Sequence, residues 1–580
     1  MKKPSAASRL FPYLRRHFPL LAASLFCLLV TDVAGVLQPY LLKVAVDTNI
    51  TARDFAGLLR TALTFGIVML SSYIFEVLFN YSIQYLGQRV VLDLRVELFR
   101  KALSLPRSYY DRTPVGDVLT NLSNDVEAIR EFISEGIVTV AGSLARVLFI
   151  FVAMMLINVR LALAAFVTVP FFVLATALFR VGIRSGFREV RAANSAINVS
   201  LVETITGIRE IHQLGQERES RESFDGSNRR YRDAYLRVVG AYALFFPVME
   251  LVASVSMALV LLFSHFALGV SVRVGDVFAF FSYLTMFFWP LRDLAEKFNT
   301  FQSALAATER VFRLQDQPVE LAEPARPRAL PASERGAVSF ESVSFAYVEG
   351  SPVIRDLSFS VSSGEKVALV GATGSGKTTI TALLTRLYDV GRGRVLIDGV
   401  DLRELGLREL RTAVATVPQD TFIFTGTVAE NISLGDPAVS RARIEEAARR
   451  VMADRFISRL PRGYDTEVLE EGKRLSVGER QLLGLARALC RDPRIVVLDE
   501  ATANIDSETE RLLHEGIAGL LEGRTALIVA HRLSTIRSVD RILVMKGGEL
   551  VEQGSHAELV ALGGVYAGLY EMQSLLLSSR

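Results

Sequence analysis

The chain has 580 residues and a mass of 64.0 kDa; 50% of it is hydrophobic and 22% charged, with a mean hydropathy of +0.32. Such apolarity beside ordinary charge excludes a disordered or collagen-like chain and assigns the two properties to different segments. A count of 65 Lys and Arg against 62 Asp and Glu leaves a net charge of +3, too little for the basic surface of a nucleic-acid binder, and two cysteines, Cys27 and Cys490, exclude a disulfide framework or a cysteine metal site.

Lys2, Lys3, Arg9, Arg15 and Arg16 precede the first apolar run, which predicts a cytoplasmic N-terminus. That run is too long for a secretory signal and no small-residue cleavage pattern follows it; residues 9–17 instead predict a short amphipathic helix on the inner membrane surface. Residues 20–42 carry only Asp32 as a charge, 61–86 only Glu76, 136–158 only Arg146, 161–179 none, and 238–270 only Glu250. Each is long enough for the roughly 30 Å of hydrocarbon that about 20 apolar residues cross. Residues 277–291 are shorter and run into Arg292, Asp293, Glu296 and Lys297; they count as a sixth span because six return both chain ends to one side. Charges inside a bilayer are costly, so Asp32, Glu76, Arg146 and Glu250 are expected to face a cavity or one another, in substrate contact or in interhelical pairing. Trp289 reads as an interfacial anchor or packing residue.

Two long hydrophilic insertions, 88–131 and 181–237, separate the second span from the third and the fourth from the fifth. Val91, Leu94, Leu98, Ala102 and Leu105 recur at steps of three and four, so the membrane helices are expected to continue into the cytosol. Turn chemistry at residues 111–116 (DRTPVG) predicts the tip of the first arm, and residues 201–211, with Gly207 in the middle, the tip of the second. These tips are placed to touch a cytoplasmic domain. Residues 1–316 are therefore read as a transmembrane domain, the Pro- and charge-rich 317–336 as a linker, and 337–580 as a soluble domain.

In the soluble domain, residues 366–370, 494–498 and 525–529 are short β-rich apolar runs alternating with helical patterns, as a parallel sheet requires. The first leads into residues 371–378 (GATGSGKT), a phosphate loop, followed by a predicted helix over 379–388. Its phosphate-binding set is Gly371, Thr373, Gly374, Ser375, Gly376, Lys377, Thr378 and Thr379. Glycines let backbone amides converge on phosphate oxygens, the helix N-terminus adds a favourable dipole, Lys377 supplies charge to the β- and γ-phosphates, and Thr378 suits Mg²⁺. The second run delivers Asp499 and Glu500 to the sheet edge where such folds bind ligands; Asp499 suits the Mg²⁺ shell and Glu500 is placed to polarise a water.

Residues 475–481 (LSVGERQ), about 18 residues before Asp499, resemble the signature motif of ABC transporter nucleotide-binding domains. The chain as a whole resembles an ABC exporter half-transporter: an all-α six-helix transmembrane domain followed by an α/β P-loop nucleotide-binding domain. The resemblance implies ATP and Mg²⁺ as ligands and the two tips as coupling helices. It further implies that Tyr347 stacks on adenine, that Gln419 senses Mg²⁺ beside Thr378 and Asp499, that Asp506 lies in the loop linking two sites, and that His531 contacts the γ-phosphate and joins Glu500 and Gln419 in catalysis. In this family ATP is sandwiched between the phosphate loop of one chain and Ser476 and Gly478 of another, so the chain is expected to dimerise.

Two departures bear on the partner. Val477 stands where the family usually has Gly, and Glu479 where it usually has Gln. A β-branched side chain obstructs close approach of backbone to phosphate. The extra carboxylate opposes phosphate by about 1–2 kcal/mol at roughly 10 Å and an effective dielectric of about 20. With Lys377, Asp499, Glu500 and His531 all present, this resembles the catalytically intact subunit of heterodimeric bacterial exporters, whose partner has a full signature and a weakened base; a homodimer is the alternative. Residues 466–472 only partly match the family's segment near the coupling helices. The expected function is ATP-driven export of a hydrophobic drug, lipid or peptide across a bacterial plasma membrane, with both termini cytoplasmic and no nucleic-acid partner. An ATP-gated channel or regulatory protein, or an importer, on the same scaffold is the alternative.

Overall fold

The computed structural model describes residues 6–266, 272–319, 324–331, 336–468, 472, 475–499, 507–530 and 536–578. The chain divides into two compact units, Met1–Leu103 with Val115–Gln317, and Ser104–Pro114 with Pro318–Arg580.

The first unit is helical. Its helices are α1 (Ala6–Arg16), α2 (Phe18–Val44) and α3 (Phe55–Ser104); then, past the short α4 (Arg107–Arg112) of the second unit, α5 (Val115–Thr120), α6 (Val126–Glu131), α7 (Val138–Ile157), α8 (Val159–Phe166), α9 (Val169–Thr206), α10 (Ile208–Leu214), α11 (Glu217–Phe266) and α12 (Val274–Gln315). At 1.5 Å per residue the 50 residues of α3 and of α11 each extend about 75 Å, more than twice the hydrocarbon thickness. Five helical segments are long and apolar enough to cross a membrane: Phe18–Ile50, Phe55–Ser104, Val115–Ile157, Val159–Thr206 and Glu217–Ser264. The expected sixth is a shorter apolar stretch, Val274–Phe288, inside the longer α12. The apolar window of α3 is wholly unburied, and Phe55, Leu63, Ile67 and Tyr73 are exposed, an arrangement that suits lipid or another helix and not water.

Breaks in the helices have local causes. Asn158 caps α8 by accepting from the amides of Arg160 and Leu161. Between α8 and α9 the freed carbonyl of Ala165 takes hydroxyls from Thr168 and, across to α11, Ser256, both at 3.0 Å. Gly207 separates α9 from α10, at the second expected tip, and Thr113-Pro114 separates α4 from α5, at the first. The core of the unit is aromatic: Phe172 packs on Phe288, Phe179 stacks on Phe245 at 3.9 Å, and buried Tyr283 donates to the Val36 carbonyl of α2. The helix expected over 9–17 is α1, and it is pinned to protein: Arg9 pairs with Asp316 at 2.6 Å and lies over the Phe312 ring, and Tyr13 donates to Glu97.

The second unit contains strands β1 (Val338–Phe345), β2 (Ile354–Val361), β3 (Lys366–Gly371), β4 (Arg392–Ile397), β5 (Val400–Asp401), β6 (Val414–Val417), β7 (Gly426–Thr427), β8 (Glu467–Val468), β9 (Ile495–Asp499), β10 (Thr525–Val529), β11 (Arg541–Lys546) and β12 (Glu549–Gly554). The main sheet has order β12-β11-β3-β10-β9-β6, parallel except at β12, and a smaller antiparallel sheet has order β2-β1-β4-β5. The central strands are buried on both faces, which explains their unbroken apolar runs. One run begins a residue later than expected, at Ile495.

Candidate nucleotide site

Parallel strands β3 and β9 flank β10 and end at one edge of the sheet, so Gly371 and Asp499 emerge side by side around Val529. The phosphate loop leaves β3 there. Gly376 has φ +104°, and a Cβ on it would lie 2.6 Å from Ile354; one on Gly371 would lie 2.3 Å from the Met545 carbonyl, so neither position accepts a side chain. Ser375 is buried and its amide closes the turn on the Ala372 carbonyl, while Thr373 and Gly374 stand exposed on the rim.

The helix α13 (Lys377–Leu384) begins inside the loop, earlier than the expected residue 379, and stops well before residue 388. Its end is set by Arg386 at φ +49°, where the amides of Arg386 and Leu387 turn back to the carbonyls of Leu383 and Ala382. An early start aims the first amides of α13, which have no intrahelical acceptor, at the loop's concavity. Lys377 is only 5% exposed, and its Nζ donates to the carbonyls of Gly371 at 2.8 Å and Ala372 at 3.0 Å. Burial pushes its pKa down and Asp499 opposes the shift. A buried cation held by neutral carbonyls fits an arriving phosphate. Thr378 is exposed at the same helix start, and buried Thr379 shares a 3.1 Å hydrogen bond with the Tyr347 hydroxyl.

Tyr347 is partly exposed and is met edge-on by Phe345 and Tyr388, leaving ring surface for a base. Gln419 is exposed just past β6, and its carbonyl accepts from Gln481 at 3.2 Å. Gln481 lies on the helix Val477–Cys490, capped by Ser476. There the Ser476 hydroxyl accepts from the Glu479 amide at 3.2 Å and the Glu479 carboxylate accepts from the Ser476 amide at 2.8 Å. Val477 is exposed beside them and Gly478 is buried. Of the expected site residues, Glu500, Asp506 and His531 lie outside the described residues, as does most of 469–474.

Two contributions went unread in the sequence. Arg487 donates to the carbonyls of Asn431 and Phe422 and so fixes the segment after Gln419; a lone Arg on a helix carries no such signal. From the segment Ser104–Pro114, Arg112 donates to the Tyr347 carbonyl at 3.1 Å and Asp111 accepts from the Tyr388 hydroxyl. Of the intramembrane charges, Asp32 and Arg146 pair with each other, while Glu76 and Glu250 are exposed and join no ion pair with a described residue.

Residues 21–291 match the ABC transporter transmembrane region and residues 354–503 the ABC transporter domain. The chain is 36% identical over 565 residues, 97% of its length and 93% of the relative's, to the uncharacterized ABC transporter ATP-binding protein YknV of Bacillus subtilis. It is 37% identical over 528 residues, 90% and 77% of the two chains, to the probable multidrug resistance ABC transporter ATP-binding/permease protein YheH of the same organism. The solved structure of a bacterial Atm1-family ABC exporter with ATP bound superposes with a TM-score of 0.78 at 30% identity, covering 97% of this chain and 98% of that one. With an ATP-hydrolysing domain following apolar helices that can span a membrane, the chain belongs to the ABC transporter family as an exporter-type half-transporter.

Proposed function

We propose that this chain is the catalytically intact half of a heterodimeric exporter that moves a hydrophobic or amphipathic substrate across a bacterial inner membrane by alternating access. The transmembrane domain is assigned to residues 1–316, the linker to 317–336 and the nucleotide-binding domain to 337–580, with both termini cytoplasmic. The observation that carries the reading is the pairing of a phosphate loop with a capped signature helix, in a chain that also has helices able to cross a bilayer. In the proposed site Tyr347 stacks on adenine, and Gly371, Thr373, Gly374, Ser375, Gly376, Lys377 and Thr379 wrap the phosphates. Thr378, Gln419 and Asp499 are the residues that would hold Mg²⁺, which neutralises charge on the β- and γ-oxygens when bound. Glu500 polarises the attacking water and His531 contacts the γ-phosphate; Ser476, Gly478 and Asp506 serve the site across the dimer.

Support for the heterodimer comes from Glu479. Its carboxylate sits at the N-terminus of the signature helix, where the resemblance puts the partner's phosphate. Inverted vesicles holding the dimer should accumulate a fluorescent amphiphile when ATP is added. Glu500→Gln should lower both accumulation and ATP hydrolysis by about 100-fold or more, as loss of a water-activating base does. Near-native turnover in that variant, flux in the opposite direction, or a sustained current down a gradient would overturn the reading. Co-purification from the native membrane should recover a second, related chain.

A further inference from the structure

Halfway along two membrane helices is a charge pair that ATP hydrolysis does not use. Asp32 of α2 and Arg146 of α7 lie near the middles of Phe18–Val44 and Val138–Ile157. Arg146 Nε and Nη2 both approach the same Asp32 oxygen, at 2.7 Å. The pair is lopsided: the Asp32 side chain is 1% exposed and that of Arg146 40%. A pair serving only to join two helices would bury both partners; here the carboxylate is behind and one edge of the guanidinium stays open.

That edge opens on a cavity of about 350 Å³ between α2, α3, α7 and α12. Leu28, Phe79 and Met286 make its wall apolar, and among the described residues no carboxylate lines it. The hydroxyls of Thr139 and Thr285 are turned to carbonyls of their own chain, at Ser134 and Phe281. Among the described lining residues, the donors that remain are the Arg146 N–H groups not bonded to Asp32 and the Ser143 hydroxyl. Its volume lies within the roughly 300–1,000 Å³ usual for small-molecule sites. We infer that this cavity binds an amphipathic anion, its carboxylate or phosphate head on Arg146 and Ser143 and its apolar body along Leu28, Phe79 and Met286. Asp32 positions the guanidinium and, lying behind it, repels the head less than the guanidinium attracts it. Cationic amphiphiles meet a like charge and, among the described lining residues, no open carboxylate. The inference rests on the export reading for the source of the anion: either a transported amphiphile or a resident acidic lipid has this chemistry.

The test uses the native dimer in nanodiscs of zwitterionic phosphatidylcholine, without nucleotide. Binding is read from the quenching of tryptophan fluorescence by brominated lipids; Trp289 is the single tryptophan of this chain and precedes the lining residue Pro290 in sequence. Dibromostearate should quench at least about tenfold more tightly than dibromostearyl alcohol, the gain of one close charge contact over a neutral head. Arg146→Gln should abolish that preference and Arg146→Lys keep part of it. Because Arg146→Gln strands a buried carboxylate, the double variant Asp32→Asn with Arg146→Gln, which removes both charges together, must lose the preference too. An undiminished preference in the double variant, or equal binding of acid and alcohol to the native protein, overturns the site. If ATP drives accumulation of an amphiphile in vesicles while binding shows no anion preference, the site falls and export stands. If Arg146-dependent binding persists and ATP moves no amphiphile, the site stands, its occupant is a resident lipid, and export falls.

Discussion

Asp398 holds together the entry to the ATP-binding unit. Its side chain is fully buried; one oxygen accepts from the amides of Gly336 and Ala337 at 2.8 and 2.7 Å, and the other from Arg494 at 3.2 Å. It also sits at φ +50°, a conformation that Asp and Asn tolerate better than most residues. Asp398→Ala should cost about 3 kcal/mol, because it removes the carboxylate that pairs with Arg494 and the acceptor of the Gly336 and Ala337 amides. Asp398→Asn retains an acceptor and the backbone preference and should cost about 1 kcal/mol. In thermal melting of the solubilised protein, about 3 kcal/mol corresponds to a fall of roughly 6–12 °C for a unit of this size, against a few degrees for Asn. Equal melting of the two variants would contradict the clamp. Nothing in the sequence marked Asp398, since its three partners lie about 60 to 100 residues away, whereas the phosphate loop could be read because its groups are contiguous.

Helices were readable where periodicity or apolar length alone specifies them, as in the five long spans and the arms of α3. Their ends were not, because Arg386 closes α13 in a left-handed conformation that no residue type there announces. The contact of the first tip with a cytoplasmic domain was legible from its turn chemistry; least visible were the partners of α4, six residues that cluster with the ATP-binding unit through Asp111 and Arg112. Burial, with help from the bond to Asp111, pushes the Tyr388 hydroxyl up to about 12. A raised folded value means that the bond's contribution is complete below the unfolded value of about 10 and is lost as pH rises toward 12, so the contact holds throughout physiological pH. Tyr388→Phe keeps the ring edge against Tyr347 and removes only the donation to Asp111. At about 1 kcal/mol for a partly exposed bond, hydrogen exchange across Ser104–Pro114 should quicken about fivefold and transport per ATP should fall. Tyr388→Leu, which also removes the ring, should do more. Unchanged exchange in both variants would show that α4 is held by other contacts.

The order of the modules was legible in the sequence because each is announced by an independent signal: apolar length for the membrane helices, then the phosphate loop, signature and carboxylates for the ATPase. The partner was not, because a composite site takes half of its atoms from another chain. Glu479 is where the two possibilities separate. A capping box closes with Gln as well as with Glu, so Glu479→Gln keeps the bond to the Ser476 amide and deletes only the charge. Val477→Gly clears the exposed side chain at the first helical position, where glycine costs little. Removing a carboxylate about 10 Å from a phosphate gains about 1–2 kcal/mol, so the pair of changes should tighten nucleotide binding at the site this signature covers by about tenfold. In the proposed heterodimer that site belongs to a partner with a weakened base, and ATP should be held more tightly while turnover changes less than about twofold. In a homodimer the same site contains Glu500, and turnover should rise with affinity. Occluded-nucleotide stoichiometry and ATPase rate, measured on the same double variant, decide between them: a tenfold gain in both would remove the case for an unequal partner.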